Sequence, residues 1–122
     1  MKYEFEYNLV QHGTDYLLLS GKGAVNAKQF EHVYQNVFDF AKSANVYRLL
    51  VDARQFNLSY PMDHFIPLMK NVAPYLRQLK TARVIKEDSL HQSMIETISH
   101  NSGFNLKNFD CRTEAINWLM QD

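Results

Sequence analysis

The sequence predicts an α/β fold: an N-terminal β-hairpin, then helices and strands in alternation on a mixed, mostly parallel sheet of five strands. Three observations carry this. Residues 2–10 alternate, with Tyr3, Phe5, Tyr7 and Leu9 on one side and Lys2, Glu4, Glu6 and Asn8 on the other; period two means a strand buried on one face. Residues 26–44 place Phe30, Val33, Tyr34, Val37, Ala41 and Ala44 at helical spacing. Residues 81–119 read strand, helix, strand, helix, an order that implies right-handed crossovers between parallel strands. The 122 residues suffice for one core and not for two, so a single domain over 1–122 is expected.

Each element has its own signal. Gln11-His12-Gly13-Thr14-Asp15 turns the chain after the first strand. Tyr16-Leu17-Leu18-Leu19 is a second strand, apolar on both faces and therefore central. The short connection makes the pair an antiparallel hairpin, and Gly21 and Gly23 are expected to end it. Asn26 with Gln29 three residues on is a capping-box start for the first helix. Residues 46–51 form a short apolar run, read as a parallel central strand.

Residues 57–80 keep helical period through Met62, Phe65, Ile66, Met69, Val72, Ala73 and Leu76, but Pro61, Pro67 and Pro74 interrupt. Proline fits a first turn and kinks a helix interior, so a kinked or two-piece helix is predicted. Residues 81–86 are the next strand. Ser89, with Gln92 as its box partner, caps a helix whose apolar face is Leu90, Met94, Ile95 and Ile98. Gly103 suits a left-handed stop and Phe104 the hydrophobic contact beyond it. A strand over 106–110 and a helix over 113–120 close the chain, with Ala115 allowing close approach to the sheet and Ile116, Trp118 and Leu119 supplying buried area.

Composition excludes several functions. Apolar residues are 46% and charged residues 21%, and thirteen basic side chains balance thirteen acidic ones. A neutral chain lacks the electrostatic footprint of a nucleic-acid or anionic-membrane binder, and weak repulsion between copies favours self-association. A single cysteine, Cys111, forms no intramolecular disulfide. No apolar run reaches the roughly 20 residues of a membrane span. The start, Met1-Lys2-Tyr3-Glu4, lacks the pattern of a secretory signal. A cytoplasmic protein is expected.

The closing Glu114-Ala115-Ile116-Asn117-Trp118-Leu119, behind the strand–helix–strand–helix order, resembles the STAS-like (anti-sigma-factor-antagonist-like) domains. The resemblance implies the STAS-like (β-α) superhelical order over nearly the whole chain. It also implies a regulatory domain that works by binding protein and not by catalysis. In STAS antagonists a serine at the start of the second crossover helix is phosphorylated. Ser59 stands near that place, but the family's Asp-Ser before it or glycine after it is absent, so an N-cap or turn role is expected. STAS-like proteins are sometimes grouped by resemblance with CRAL-TRIO lipid-transfer domains.

The candidate site follows from topology. In open parallel sheets ligands sit outside the carboxyl ends of strands. Asp52-Ala53-Arg54 and Lys86-Glu87-Asp88 fall at such ends; the plainer reading is that Asp52 and Arg54 form an ion pair that settles the loop. Tyr60, Met62, Phe65, Ile66, Met69 and Tyr75 concentrate in the proline-broken segment, with Leu68 and Tyr75 off its main stripe. A flexible apolar segment suits a lid or a docking surface, and the same residues could equally be core. A ligand or partner surface of Asp52, Arg54, Ser59, Tyr60, Met62, Phe65 and Met69 is therefore expected.

No chemistry-bearing constellation accompanies it. The five histidines, His12, His32, His64, His91 and His100, include no i, i+4 pair, and no Cys-x-x-Cys or Gly-x-Ser-x-Gly occurs. Gly21-Lys22-Gly23 is too short for a phosphate loop. No catalytic residue, metal or cofactor is expected. The predicted function is a non-catalytic interaction domain, a homodimer with an unidentified protein partner. The alternative is a carrier of a small apolar ligand or lipid in a pocket under residues 60–76.

Overall fold

A computed structural model describes residues 3–11, 13–58, 60–86 and 89–121. The elements run β1 (Glu4–Val10), β2 (Tyr16–Val25), α1 (Ala27–Ala44), β3 (Arg48–Asp52), β4 (Phe56–Leu58), a 3-10 turn (Met62–His64), α2 (Phe65–Leu76), β5 (Lys80–Val84), α3 (Leu90–Asn101), β6 (Leu106–Phe109) and α4 (Arg112–Met120). The main sheet order is β1-β2-β3-β5-β6. β1 lies antiparallel to β2, from Glu4 opposite Lys22 to Val10 opposite Tyr16, and the other neighbours are parallel.

Five strands on this path match the expectation; the sixth, β4, does not. β2 runs on through Gly21 and Gly23 to Val25 and changes partner as it goes. It pairs with β3 from Leu17 to Ser20, then with β4 from Gly23 to Val25. The two glycines serve the change of partner. A Cβ at Gly21 would run into the Glu4 carbonyl and the Phe56 ring. Gly23 takes φ +107°, and its N–H donates to the Gln55 carbonyl at 3.1 Å. Glycine inside a strand here marks close approach and not an end.

The sheet is covered on both faces. Leu17, Leu19, Leu49 and Val51 face α1, α2 and α3, meeting Val33, Val37, Val72 and Ile95 among others. Tyr16, Leu50, Ala82 and Val84 face Ala115 and Leu119 of α4. The capping box of α1 forms as expected: Gln29 N–H donates to Asn26 Oδ1 at 2.8 Å, and Asn26 N–H to Gln29 Oε1 at 2.9 Å. α3 stops in a Schellman arrangement, Gly103 at φ +77°. There Phe104 N–H bonds the Ser99 carbonyl at 2.9 Å and Gly103 N–H the His100 carbonyl at 3.3 Å.

Three side-chain expectations change. Trp118 is half-buried. Only Ala115 and Leu119 of the short α4 face the sheet squarely, and Trp118 lies to one side, against Phe109 at 5.8 Å with Lys80 Nζ 4.6 Å from its ring centre. Leu90 is 63% exposed, because the buried face of α3 is Gln92, Ile95 and Ser99. Ser89 Oγ accepts from Gln92 N–H at 3.4 Å, but the Gln92 side chain turns inward toward the Ala53 carbonyl and leaves the box half made.

The proline-broken segment is in two pieces, as predicted: a 3-10 turn, then α2. Pro67 falls in the first turn and only Pro74 lies in the interior. Leu68 is not surplus to the apolar face, since it is buried with Phe65, Met69, Val72, Ala73 and Leu76. Tyr75 stacks obliquely on Phe38 of α1 at 5.1 Å.

Candidate binding face at the strand ends

β3 and β4 lie in line beside β2, and Ala53, Arg54 and Gln55 form a jog between them. The Ala53 N–H is held by the Val84 carbonyl of β5 at 2.9 Å, and Phe56 N–H closes a tight turn onto the Ala53 carbonyl at 3.2 Å. This turn pushes Arg54 out to solvent. Arg54 folds back on Asp52 in a two-pronged pair, Nε to Oδ1 at 2.9 Å and Nη2 to Oδ2 at 2.8 Å, while its N–H adds a bond to Oδ1 at 3.3 Å. The guanidinium's hydrogen bonds hold the Asp52 carboxyl below its ordinary range, against the opposing effect of burial. Asp52 and Arg54 are thus one unit that stiffens the jog.

The other expected site residues separate by depth. Ser59 lies outside the described residues, as do Glu87, Asp88 and the Met62 side chain. Tyr60, Phe65 and Met69 are buried, at 6%, 1% and 3% exposure, so they support a surface from behind. The Tyr60 carbonyl accepts from His91 Nε2 of α3 at 2.9 Å, and the His91 ring stands edge-on to the Tyr60 ring at 4.9 Å. That contact ties the segment after β4 to the start of α3. Burial pushes the Tyr60 phenol up to about 12.

The segment and the start of α3 expose apolar residues beside polar ones such as Asp63, His64 and Lys70. Ile66 is 53% exposed in the first turn of α2, and Leu90 63% at the start of α3; Pro61 and Pro67 are exposed too. Beside the jog a cleft of about 360 Å³ runs between Arg54, Gln55, Asn57, Lys86 and Ser89. A groove of about 690 Å³ lies at the opposite end of the sheet, lined in part by Arg48 and Lys80. Those two cations clamp the end of α4: Arg48 Nη1 donates to the Leu119 and Gln121 carbonyls, and Lys80 Nζ to those of Trp118 and Gln121. Their engagement gives that groove a structural explanation. Among the described residues no three His, Cys, Asp or Glu side chains converge to hold a metal, and no helix is long and apolar enough to cross a membrane.

Sequence reasoning passed over the buried polar residues. Arg83 is 2% exposed, Gln92 2%, Thr81 0% and Ser99 0%. Thr81 and Arg83 share the α3-side face of β5, since Ala82 and Val84 occupy the other. The signal lay in Thr81-Ala82-Arg83-Val84-Ile85: an arginine in the middle of an apolar strand has no wet face to occupy once that strand is covered on both sides.

No family model matches the sequence, and no curated protein does. Solved structures match over nearly the whole length. One is a protein of the DUF3478 family with a SpoIIAA-like fold from Shewanella loihica PV-4, at TM-score 0.68 and 14% identity over 98% of this chain and 96% of that one. An anti-sigma factor antagonist from Mycobacterium paratuberculosis matches at TM-score 0.59 and 13% identity, over 97% and 96%. The Bacillus cell fate determinant SpoIIAA in its phosphorylated form matches at 0.54 and 12%, over 93% and 99%. With its N-terminal hairpin, mostly parallel sheet and four helices, this chain therefore has the SpoIIAA-like, STAS-like fold.

Proposed function

We propose that the chain is a non-catalytic regulatory domain that binds a protein partner through the face at the carboxyl ends of β3 and β5. One observation carries the reading. Ile66 and Leu90 are the two most exposed large apolar residues among those described, and both stand in the first turns of helices that start at this end of the sheet. Exposed apolar residues grouped at one end and rimmed by charge suit a protein partner. Pro61, with Tyr60, Phe65 and Met69 beneath, lies in the middle of the proposed face. The two solved neighbours that carry the names antagonist and cell fate determinant support a regulatory role by analogy of fold. The place of action we propose is the cytoplasm.

The test is site-specific photocrosslinking in the cells that make the protein. A crosslinker at Ile66 or Leu90 should give one defined adduct with another protein, and one at Lys42, exposed in the last turn of α1 at the opposite end of the sheet, should not. Adducts from Lys42 alone, or the same adducts from all three positions, would refute the reading.

The proposal includes a second copy of the chain at the β1 edge. β1 ends the sheet and leaves one side of its backbone to pair, which is a template for another strand. Its aromatic face is ordered inward, Tyr7 against Phe40 at 5.1 Å. Closed twofold dimers are the commonest oligomers. Sedimentation at micromolar concentration should give twice the monomer mass; a pure monomer would remove this part and leave the partner face untouched.

The apolar-carrier alternative would use the cleft of about 330 Å³ beside α2, lined by Ile66, Met69, Ala73, Ile98 and Phe104 among others, a volume at the lower end of the range for small-ligand pockets, about 300 Å³ or more. Lys70 and Arg77 also line it, and a charged, surface-open cleft suits a protein partner better than an enclosed apolar cargo.

A further inference from the structure

Behind the jog lies a small cavity whose walls are almost wholly apolar, including Val25 and Phe30 on one side and Val51 and Phe56 on another. Two polar side chains, Tyr34 of α1 and Arg83 of β5, also line it. Both are more than nine-tenths buried, at 3% and 2% exposure. The Tyr34 hydroxyl and the Arg83 Nε and Nη1 have no hydrogen-bond partner among the described residues. Arginine stays protonated at every pH a folded protein meets, so a full positive charge sits in the core.

A buried charge with no countercharge is among the costliest arrangements a fold can hold. The chain offers Arg83 no carboxylate among the described residues. Gln92 Oε1 and Asn108 Oδ1 are buried acceptors without partners, but both are neutral. Glu96 of α3 is engaged by the backbone N–H of Asn108. We propose that this cavity binds a compact monovalent anion, of chloride's size, on the Arg83 guanidinium and the Tyr34 hydroxyl.

The size of the cavity selects the anion. About 20 Å³ admits roughly one water-sized particle, which fits a halide and excludes sulfate, phosphate or a fatty acid. Its chemistry favours an anion over water. The lining presents N–H and O–H donors with only a phenol oxygen to accept, and the low-dielectric walls strengthen attraction to a charge far more than to a dipole. Phe56 of β4 forms part of the wall, so occupancy would brace β4 and the jog from below. The inference rests on Arg83 and stands or falls apart from the partner face.

Thermal unfolding tests it, with chloride exchanged for gluconate at constant ionic strength in the wild type, Tyr34→Phe and Arg83→Met. The wild type should gain about 5 °C at tenfold over its dissociation constant and a similar further amount for each additional decade of chloride, as a single site on the folded state does. Tyr34→Phe should need more chloride for the same gain, and Arg83→Met should show none. Equal chloride responses in all three proteins, or none in the wild type, would overturn the proposal. Should Arg83→Met fail to fold, wild-type crystals grown in bromide decide. A bromide anomalous peak beside the guanidinium is expected, and a map with a neutral water there and no bromide would overturn it.

Discussion

Asp52 shows how much a single pair can settle at the scale of one residue. Two hydrogen bonds from Arg54 lower its carboxyl pKa. A depressed carboxylate contributes stability that is fully present above the unfolded value of about 3.9 and is lost as pH falls through the lower folded value. The pair is partly exposed, with side-chain exposures of 45% for Arg54 and 22% for Asp52, so its worth at neutral pH is under about 1 kcal/mol. Asp52→Asn should cost no more than that at pH 7 and flatten the acid limb of the stability profile below about pH 4, as chemical denaturation across pH would show. The sequence allowed this pair to be anticipated, since the two residues are two apart at the end of an apolar run. It gave less warning of Arg83 or of Trp118. The alternation of β5 placed Arg83 inside only once the strand was known to be covered on both faces. Trp118 sits one position from the buried line of α4, and a short helix gives so little width that one position decides burial.

At the scale of elements, the caps of α1 and α3 were readable because they are local: Asn26 with Gln29, and Gly103 with Phe104, need no knowledge of the rest of the chain. β4 was not, because its three residues pair with β2, some thirty positions away, and only after two glycines that resemble a stop. α2 was half readable. Its prolines locate the break, but whether its apolar surplus is lid or core depends on α1, which covers it. The weak point is expected in the 3-10 turn Met62–His64 and the start of α2, where the α-helical hydrogen-bond ladder has not yet begun. Hydrogen exchange should therefore be fast over 62–66 and slow over 68–73, the latter comparable to residues 30–41 of α1. Uniformly fast exchange from 62 to 76 would restore the whole segment as a mobile lid.

At the scale of the molecule, the hairpin, the alternation and the closing Trp-Leu helix sufficed for the fold, because each is a pattern of burial that any member of this architecture must satisfy. Function was less legible for a physical reason. A binding face is marked by what is left exposed, and exposure at Ile66 and Leu90 becomes visible only when the rest of the apolar residues have been packed away. The central claim is that this face meets a protein partner. Its most direct test is the affinity of the partner crosslinked at Leu90 for Ile66→Asp, measured beside wild type and Lys42→Asp by titration. A charge placed at an apolar contact should weaken binding by about tenfold or more, roughly 1.4 kcal/mol, with Lys42→Asp unchanged and all three proteins equally stable. Wild-type affinity in Ile66→Asp would contradict the account.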